Sequence, residues 1–176
     1  MTTAPSATPP NANYFGTYPN KGRITLNISD VESTAGNLTL SATSSNTTLV
    51  PTSNITFGGT GATRTSSITT VSGLTGTSNL KITASDGRKS GSVAVTVKSG
   101  GSASDTIFGT AGADLILGQG GSDTLDGMGA SDVLCGAGGN DKLRGGSGAD
   151  TLDGGSGTDT ATDYSAAGGD SKIDIP

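Results

Sequence analysis

Apolar and polar residues alternate with a period of two between Gly22 and Lys98. The clearest runs are centred on Leu26, Ile82 and Val95, and turn-forming residues separate the runs from one another. Alternation of this kind predicts strands that bury one face. Six or seven short strands in roughly 77 residues, without a helical pattern, predict an antiparallel β-sandwich.

From Gly100 to Thr162 the apolar period changes to nine, and one unit recurs seven times without an insertion or a deletion. Each unit opens with Gly and has Asp at its sixth position. The eighth positions are Ile107, Ile116, Leu125, Leu134, Leu143, Leu152 and Ala161. The first six residues predict a turn, and the last three predict a short strand whose middle side chain points inward. Two units therefore make one coil of a flattened spiral, with alternate units adding to opposite sheets.

The sixth-position aspartates predict a cation. Seven inward side chains form a core that is small compared with the conformational entropy that a glycine-rich segment loses on folding. In addition, the aspartates would repel one another along the edges of the spiral. Carboxylate and turn carbonyl oxygens suit a hard cation such as Ca²⁺. The chain has no His and a single Cys, so no ligand set for zinc or copper is present.

The repeated unit matches the pattern G-G-x-G-x-D-x-U-x, and the stretch resembles the hemolysin-type RTX β-roll. The resemblance implies a parallel roll in which each ion lies between turns on the same edge, held by motif aspartates and loop carbonyls. One edge would carry Asp105, Asp123, Asp141 and Asp159, and the other would carry Asp114, Asp132 and Asp150. The loop glycines expected to contribute are Gly109, Gly118, Gly120, Gly127, Gly129, Gly136, Gly138 and Gly145.

Three gaps between neighbours on the first edge and two on the second predict about five Ca²⁺ ions. Ser102 and Ala103 in the first unit, and Met128 and Ala130 in the fourth, depart from the motif, so we expect weaker sites there. A flexible acidic linker is the alternative interpretation of such a composition. The regular apolar residue at the eighth position argues against a linker.

Composition and charge change near Lys98 to Gly101. From Gly100 onward, twelve Asp and three basic residues give −9, whereas three acids and seven bases before it give +4. The sequence therefore predicts an extended N-terminal arm over 1–21, a sandwich over 22–98, a calcium-binding roll over 99–162 and a C-terminal cap over 163–176.

The predicted sandwich lacks Trp and a Cys pair, so it is not an antibody-type domain. It resembles the immunoglobulin-like or cadherin-like modules of large bacterial surface proteins, through the runs Ile28–Glu32 and Thr83–Gly87. The predicted fold class is thus all-β, an immunoglobulin-like antiparallel sandwich followed by a parallel roll.

The two ends of the chain carry their own expectations. Tyr14, Phe15 and Tyr18 either cover one end of the sandwich or dock onto a partner. Tyr164 in the cap is expected to cover the last inward layer of the roll, and the RTX resemblance implies a C-terminal export signal in the cap. The sequence shows neither a Sec signal peptide nor an apolar run long enough to span a membrane.

An apolar patch is expected on the outward face of one sheet of the roll, at Leu115, Leu117, Val133 and Cys135. Such a patch predicts a contact surface, either for the sandwich or for another molecule, including a second copy of the chain. Cys135 is interpreted either as a small semi-buried residue or as a reactive thiol. With a single Cys, an internal disulfide is excluded.

Enzymatic interpretations are poor, because no His is available as a general base and no Ser or Cys lies in a nucleophile motif. Neither a phosphate-binding loop nor a basic aromatic stripe for nucleic acid is present. We therefore expect a non-enzymatic, calcium-binding structural or adhesion protein at the cell surface or outside the cell. The alternatives are a calcium-stabilised decoration protein on a phage virion, or a secreted fragment of an RTX enzyme or toxin without its catalytic domain.

Overall fold

A computed structural model of the chain describes residues 6–12, 20–31 and 33–176. For residues 6–12 it describes the backbone alone. The first seven strands are β1 Ser6–Ala12, β2 Lys21–Ser29, β3 Thr39–Ser44, β4 Ile55–Thr60, β5 Thr63–Thr69, β6 Gly76–Ser85 and β7 Ser90–Ser99. The later strands are β8 Thr106–Thr110, β9 Asp114–Leu117, β10 Thr124–Met128, β11 Val133–Gly138, β12 Lys142–Arg144, β13 Thr151–Ser156, β14 Thr160–Ala161 and β15 Ser171–Ile173. Short 3₁₀ turns lie at Ala35–Asn37, Thr52–Asn54 and Ala166–Gly168. The all-β prediction is confirmed.

The N-terminal part consists of two antiparallel groups of strands. One group is a four-stranded sheet in the order β1-β2-β5-β4, and the other has the order β3-β6-β7. Their inward residues form one buried cluster that includes Ile24, Leu26, Ile82 and Val95. The period-two alternation of the sequence therefore corresponds to the two faces of real strands.

The C-terminal part is a parallel β-solenoid. Strands β14, β12, β10 and β8 form one of its sheets, and β9, β11, β13 and β15 run parallel on the other. Ile116, Leu125, Leu134, Leu143 and Leu152 are completely buried between the two sheets, and Ile107 and Ala161 pack against them. The predicted inward position of each nonapeptide is confirmed.

The solenoid and the N-terminal strands share one continuous sheet of seven strands, ordered β15-β13-β11-β9-β7-β6-β3. The junction is a parallel pairing of β7 with β9, in which Thr96 lies opposite Asp114 and Ser99 opposite Leu117. Strand β7 thus occupies the place where an earlier coil would contribute a strand. The predicted boundary near residue 98 is crossed by backbone hydrogen bonds.

The apolar patch on the roll is part of the sandwich core. Leu115, Leu117, Val133 and Cys135 are at most 4% exposed and belong to the same buried cluster as Ile24 and Val95. A Cβ built on Gly22 in β2 would overlap the side chain of Leu115. The contact surface exists, but its partner is the sandwich of the same chain. The expectation that this face is available to another molecule is therefore wrong.

Part of the predicted N-terminal arm is a strand. The backbone of β1 pairs antiparallel with β2, and the register shifts between Thr8 and Asn11, on either side of the two prolines. Pro cannot donate to a ladder, so its place in an edge strand at a register shift is the usual one. Tyr14, Phe15 and Tyr18 lie outside the described residues, and docking by the arm stays a prediction.

The C-terminal segment continues the roll. Strand β15 pairs parallel with β13, and Ile175 packs against the inner core of the solenoid. Tyr164 is 39% exposed, and the expectation that it covers the last inward layer stays a prediction. The Nζ atom of Lys172 lies 5.5 Å from the centre of the Tyr164 ring. No helix within the described ranges is long and apolar enough to cross a membrane.

Candidate metal centre

The turns of the third to seventh units have left-handed backbone conformations at the second and fourth positions. The second position has positive φ at Gln119, Met128 and Ala137, and the fourth at Ala130 and Gly148. Such conformations cost roughly 1–2 kcal/mol for a residue with a Cβ. This requirement explains the glycine content of the turns, and Met128 and Ala130 place two strained residues in one turn.

A ladder of backbone hydrogen bonds links the motif aspartates on each edge of the roll. The N–H of Asp105 donates to Oδ1 of Asp123 at 2.8 Å, and Asp132 N–H donates to Oδ1 of Asp150 at 2.8 Å. The other interior links have the same form, namely Asp114 to Asp132, Asp123 to Asp141 and Asp141 to Asp159. The predicted division of the aspartates into two edges is what the structure shows.

Six of these aspartates each have one buried carboxylate oxygen with no hydrogen-bond partner among the described residues. Oδ2 of Asp123, Asp132, Asp141, Asp150 and Asp159 accepts no hydrogen bond within the described part of the chain, and neither does Oδ1 of Asp114. All six side chains are at most 3% exposed. A buried carboxylate oxygen without a partner is costly, and it indicates that a cation belongs beside it.

Carbonyl oxygens of the next coil lie close to these carboxylates. A Cβ built on Gly118 would overlap Oδ2 of Asp123 and lie 2.9 Å from the carbonyl oxygen of Gly136. One on Gly127 would likewise overlap Oδ2 of Asp132 and approach the Gly145 carbonyl oxygen. The first-position glycines therefore leave space for converging oxygens, and any side chain would fill that space.

The other predicted glycines have contacts of two kinds. Gly109 lies beside the Gly127 carbonyl and Oδ2 of Asp114, in the same arrangement as Gly118. Gly120 pairs with Gly138, and Gly129 pairs with Ser147, in isolated parallel bridges. The third-position glycines thus stack successive turns on one another.

Burial changes the acidity of the ladder. It raises the pKa of Asp132 to about 8 and that of Asp123 to about 6, and neighbouring ladder aspartates add to both shifts. Burial likewise raises the pKa of Asp114, Asp141 and Asp150. In the absence of a cation, ionising these carboxyl groups destabilises the folded roll. A divalent cation would reverse that effect.

The donor set fits Ca²⁺. Each gap combines carboxylate and carbonyl oxygens, which is the hard ligand set that Ca²⁺ prefers. Across the described ranges no three acidic, His or Cys side chains converge as a metal-binding group. The oxygens that lie close together in a gap are carboxylate and backbone carbonyl oxygens. Bound Ca²⁺ would supply the positive charge that the orphaned oxygens need. The carboxylates of the motif aspartates and the carbonyl oxygens of the first-position glycines would hold the ion in place.

Three acidic residues were absent from the predicted ladder. Asp170 accepts the N–H of Asp150 through Oδ1 at 3.0 Å. Asp163 accepts the N–H of Gly145 at 3.0 Å and of Gly146 at 2.9 Å. Asp153 is 6% exposed on the outward side of β13, and Oδ1 of this residue has no hydrogen-bond partner among the described residues. The second edge was predicted to end at Asp150, and Asp170 extends it by one carboxylate.

The comparison with known families agrees with this geometry. Residues 99–134 and 127–161 match the family model of the RTX calcium-binding nonapeptide repeat. No curated protein matches the chain significantly. The match covers the roll and leaves the sandwich unassigned. The C-terminal part of the chain is therefore built of RTX nonapeptide repeats and binds Ca²⁺.

Proposed function

We propose that this chain is a non-catalytic structural or adhesion module that works outside the cell and becomes rigid when its roll binds Ca²⁺. The observation that carries the proposal is the row of six buried ladder aspartates, each with one carboxylate oxygen that lacks a partner among the described residues. Without a cation these groups oppose folding, and with Ca²⁺ they hold successive coils together.

Two arguments support a location outside the cell: the calcium affinity of extracellular modules, and the usual occurrence of RTX repeats in secreted proteins. RTX repeats are typical of secreted proteins, and calcium sites of extracellular modules have dissociation constants of about 10⁻⁴–10⁻³ M. Sites of that strength fill outside a cell and stay largely empty in the cytosol. Folding of the roll would then follow export, which favours the extracellular or cell-surface location.

The sandwich is best interpreted as an immunoglobulin-like module. Its first sheet has the order β1-β2-β5-β4, and its second begins β3-β6-β7. In the constant-type immunoglobulin fold the corresponding orders are A-B-E-D and C-F-G, so the seven strands correspond one to one. The absence of Trp and of a Cys pair does not affect this strand order.

A non-enzymatic role is supported by the side chains available. The chain contains no His. Its one thiol, Cys135, is buried, and burial raises the pKa of that thiol well above its usual range. A nucleophile of this kind would be both inaccessible and protonated.

Calcium titration of matched variants tests the proposal. We expect the metal-free chain to show reduced β-structure by circular dichroism. We also expect an added protease to cleave it rapidly within residues 100–162. Added calcium should reverse both effects. Asp132→Asn removes the charge of an interior ladder carboxyl and should raise the calcium concentration needed for folding. Asp126→Asn is the matched control, because Asp126 lies in β10 and pairs with the exposed Arg144 at 2.9 Å, outside the ladder.

The outcome that would reject the proposal is an equally ordered roll with and without calcium. An adhesion role requires a further result, namely calcium-dependent binding of the chain to a cell or matrix surface. Binding that persists in the metal-free chain would argue against a role for the roll in adhesion.

A further inference from the structure

We propose that the segment following the last nonapeptide supplies an eighth ladder carboxylate, Asp170, which builds a further Ca²⁺ site together with Asp150. Asp170 lies beyond residues 99–161, to which the repeat family corresponds, whereas its partner Asp150 lies within them. The inference rests on the proposed calcium-binding role of the interior ladder, and it concerns a segment that carries no repeat motif.

The link between Asp150 and Asp170 has the form of an interior link. Asp150 N–H donates to Oδ1 of Asp170 at 3.0 Å, as Asp132 N–H donates to Oδ1 of Asp150 at 2.8 Å. The residue after Asp170 also keeps the register, because Ser171 lies opposite Thr151 in the parallel pairing of β15 with β13. Asp170 therefore occupies the sixth position of an additional unit.

Two additional residues separate Asp170 from its partner, since the spacing is 20 in place of 18. The 3₁₀ turn Ala166–Gly168 accommodates them, and Gly169 then reverses the chain in a left-handed conformation at φ 98°. Ser165 closes this turn by accepting the N–H of Gly168 on its hydroxyl oxygen at 3.1 Å. The N–H of Ser165 donates to Oδ2 of Asp170 at 2.8 Å, which fixes the orientation of the carboxylate.

The orphaned oxygen of Asp150 points to a ligand at this place. Asp150 is 1% exposed, and its Oδ2 accepts no hydrogen bond in the described part of the chain. A Cβ built on Gly145 would overlap this oxygen, as a Cβ on Gly118 would overlap Oδ2 of Asp123 in the interior. Asp163 brings a further carboxylate to Gly145 and Gly146.

The acidic groups at this end are not neutralised by a buried base. Arg144 lies 3.5 Å from Asp163, but its side chain is 55% exposed and is shared with Asp126. Exposed ion pairs contribute little. A divalent cation held between the carboxylates of Asp150 and Asp170 would balance the charge where the arginine does not.

On the edge that carries Asp159, the segment after the last nonapeptide also takes the place of a further coil. A Cβ built on Gly154 would lie 2.6 Å from Oδ2 of Asp159 and 2.7 Å from the carbonyl oxygen of Asp174. In the interior, the corresponding carbonyl belongs to the first glycine of the next coil, as Gly136 does for Gly118. The backbone of the C-terminal segment thus takes the place of a missing repeat.

Counting bound calcium in the full chain tests the proposal. We expect Asp170→Asn to bind one ion fewer than the unmodified protein in saturating calcium, measured by equilibrium dialysis and atomic emission. The amide oxygen of Asn can still accept the Asp150 N–H, so the fold should persist while the charge is lost. Asp174→Asn is the matched control and should keep the full number, because Asp174 contributes its backbone carbonyl.

An unchanged ion count in Asp170→Asn would overturn the proposal, and it would leave the role of the interior ladder intact. Absence of bound calcium from the unmodified protein would instead overturn both. If Asp170→Asn does not fold, Asp170→Glu separates the causes, since it retains a carboxylate. Folding of the Glu variant alone supports the site, whereas failure of both variants assigns Asp170 a purely structural role and rejects it.

Discussion

The side chain of Leu115 in β9 lies so close to the backbone of Gly22 in β2 that no side chain would fit at position 22. Leu115 is completely buried in the cluster that also contains Ile24 and Val97. This contact joins the four-stranded sheet of the sandwich to the outward face of the roll. The two parts of the chain are therefore one packing unit, although their sequence patterns differ.

The first prediction follows from this contact. Gly22→Val should lower the free energy of unfolding in saturating calcium by about 1–3 kcal/mol, because overpacking a filled core forces neighbouring side chains out of position. Denaturant unfolding followed by circular dichroism measures the loss. Gly36→Ala is the control, since no atom lies within 4 Å of a Cβ built at that glycine. A Gly22→Val variant as stable as the control would contradict the shared core.

The shared core also changes what substitutions on the roll should do. On the sequence alone, Leu115→Lys combined with Val133→Lys would remove a binding surface and leave calcium-induced folding intact. In the structure both side chains are buried, at 0% and 1% exposure. Burying two unpaired charges there would instead prevent folding. Persistence of the folded state in that double variant would speak for an exposed patch.

Cys135 provides a chemical readout of the same interface. The thiol is buried between roll and sandwich, and burial raises its pKa, so both access and thiolate formation are suppressed. We expect slow reaction with a thiol reagent in calcium and at least tenfold faster reaction after chelation, which should loosen the roll. Addition of excess calcium after chelation should restore protection. Equal rates in the two conditions would mean that the interface does not depend on calcium.

The ladder carboxyls predict opposite pH dependence with and without calcium. In the metal-free chain the pKa values of Asp123, about 6, and Asp132, about 8, are above the ordinary value. Their contribution to folding is therefore present in acid and is lost as the pH rises through these values. We expect the metal-free roll to be more ordered at about pH 5 than at about pH 8.5.

In saturating calcium the dependence should be reversed, because protons and Ca²⁺ compete for the same oxygens. Circular dichroism of dialysed protein at a series of pH values, with and without added calcium, makes the comparison. Metal-free protein that becomes more ordered as the pH rises would contradict the assignment of the buried carboxyls.

The fourth unit offers a stabilising substitution. Met128 and Ala130 both have positive φ, at 75° and 70°. Ala130→Gly should raise the stability of the calcium-loaded roll by about 1 kcal/mol, because it removes the steric cost of the left-handed conformation. Thermal unfolding at fixed calcium concentration gives the sign. Ala111→Gly is a suitable control, since Ala111 lies in a turn and does not have positive φ. Destabilisation by Ala130→Gly beyond that control would refute the strain argument.

The nine-residue period of the sequence was sufficient to predict much of the structure of the roll. It gives the inward residues, the two edges and the aspartates of each edge, because an uninterrupted repeat must stack on itself. Asp170 was not predictable in this way, since a two-residue insertion moves it out of register and only the 3₁₀ turn restores its position. Strand β1 was missed because its backbone pairing does not depend on apolar alternation.

The sequence indicated the contact between the two parts only through an excess of apolar residues on the outward face of one sheet of the roll. Leu115, Leu117 and Val133 stand at outward positions where the other sheet has Thr124, Lys142 and Arg144. The pattern indicated a contact but could not identify the partner. That partner is set by the parallel pairing of β7 with β9, which depends on the three-dimensional path of the chain between Ser99 and Asp114.

The seven-stranded sheet has a mechanical consequence. Because hydrogen bonds run from β3 through β7 to β15 without a break, this sheet contains no linker at which the two parts could swing. A tensile load applied across it would pass through the parallel β7–β9 pairing and not through a hinge. Calcium would then set the stiffness of both parts together, because the roll that binds the ion shares its sheet with the antiparallel strands.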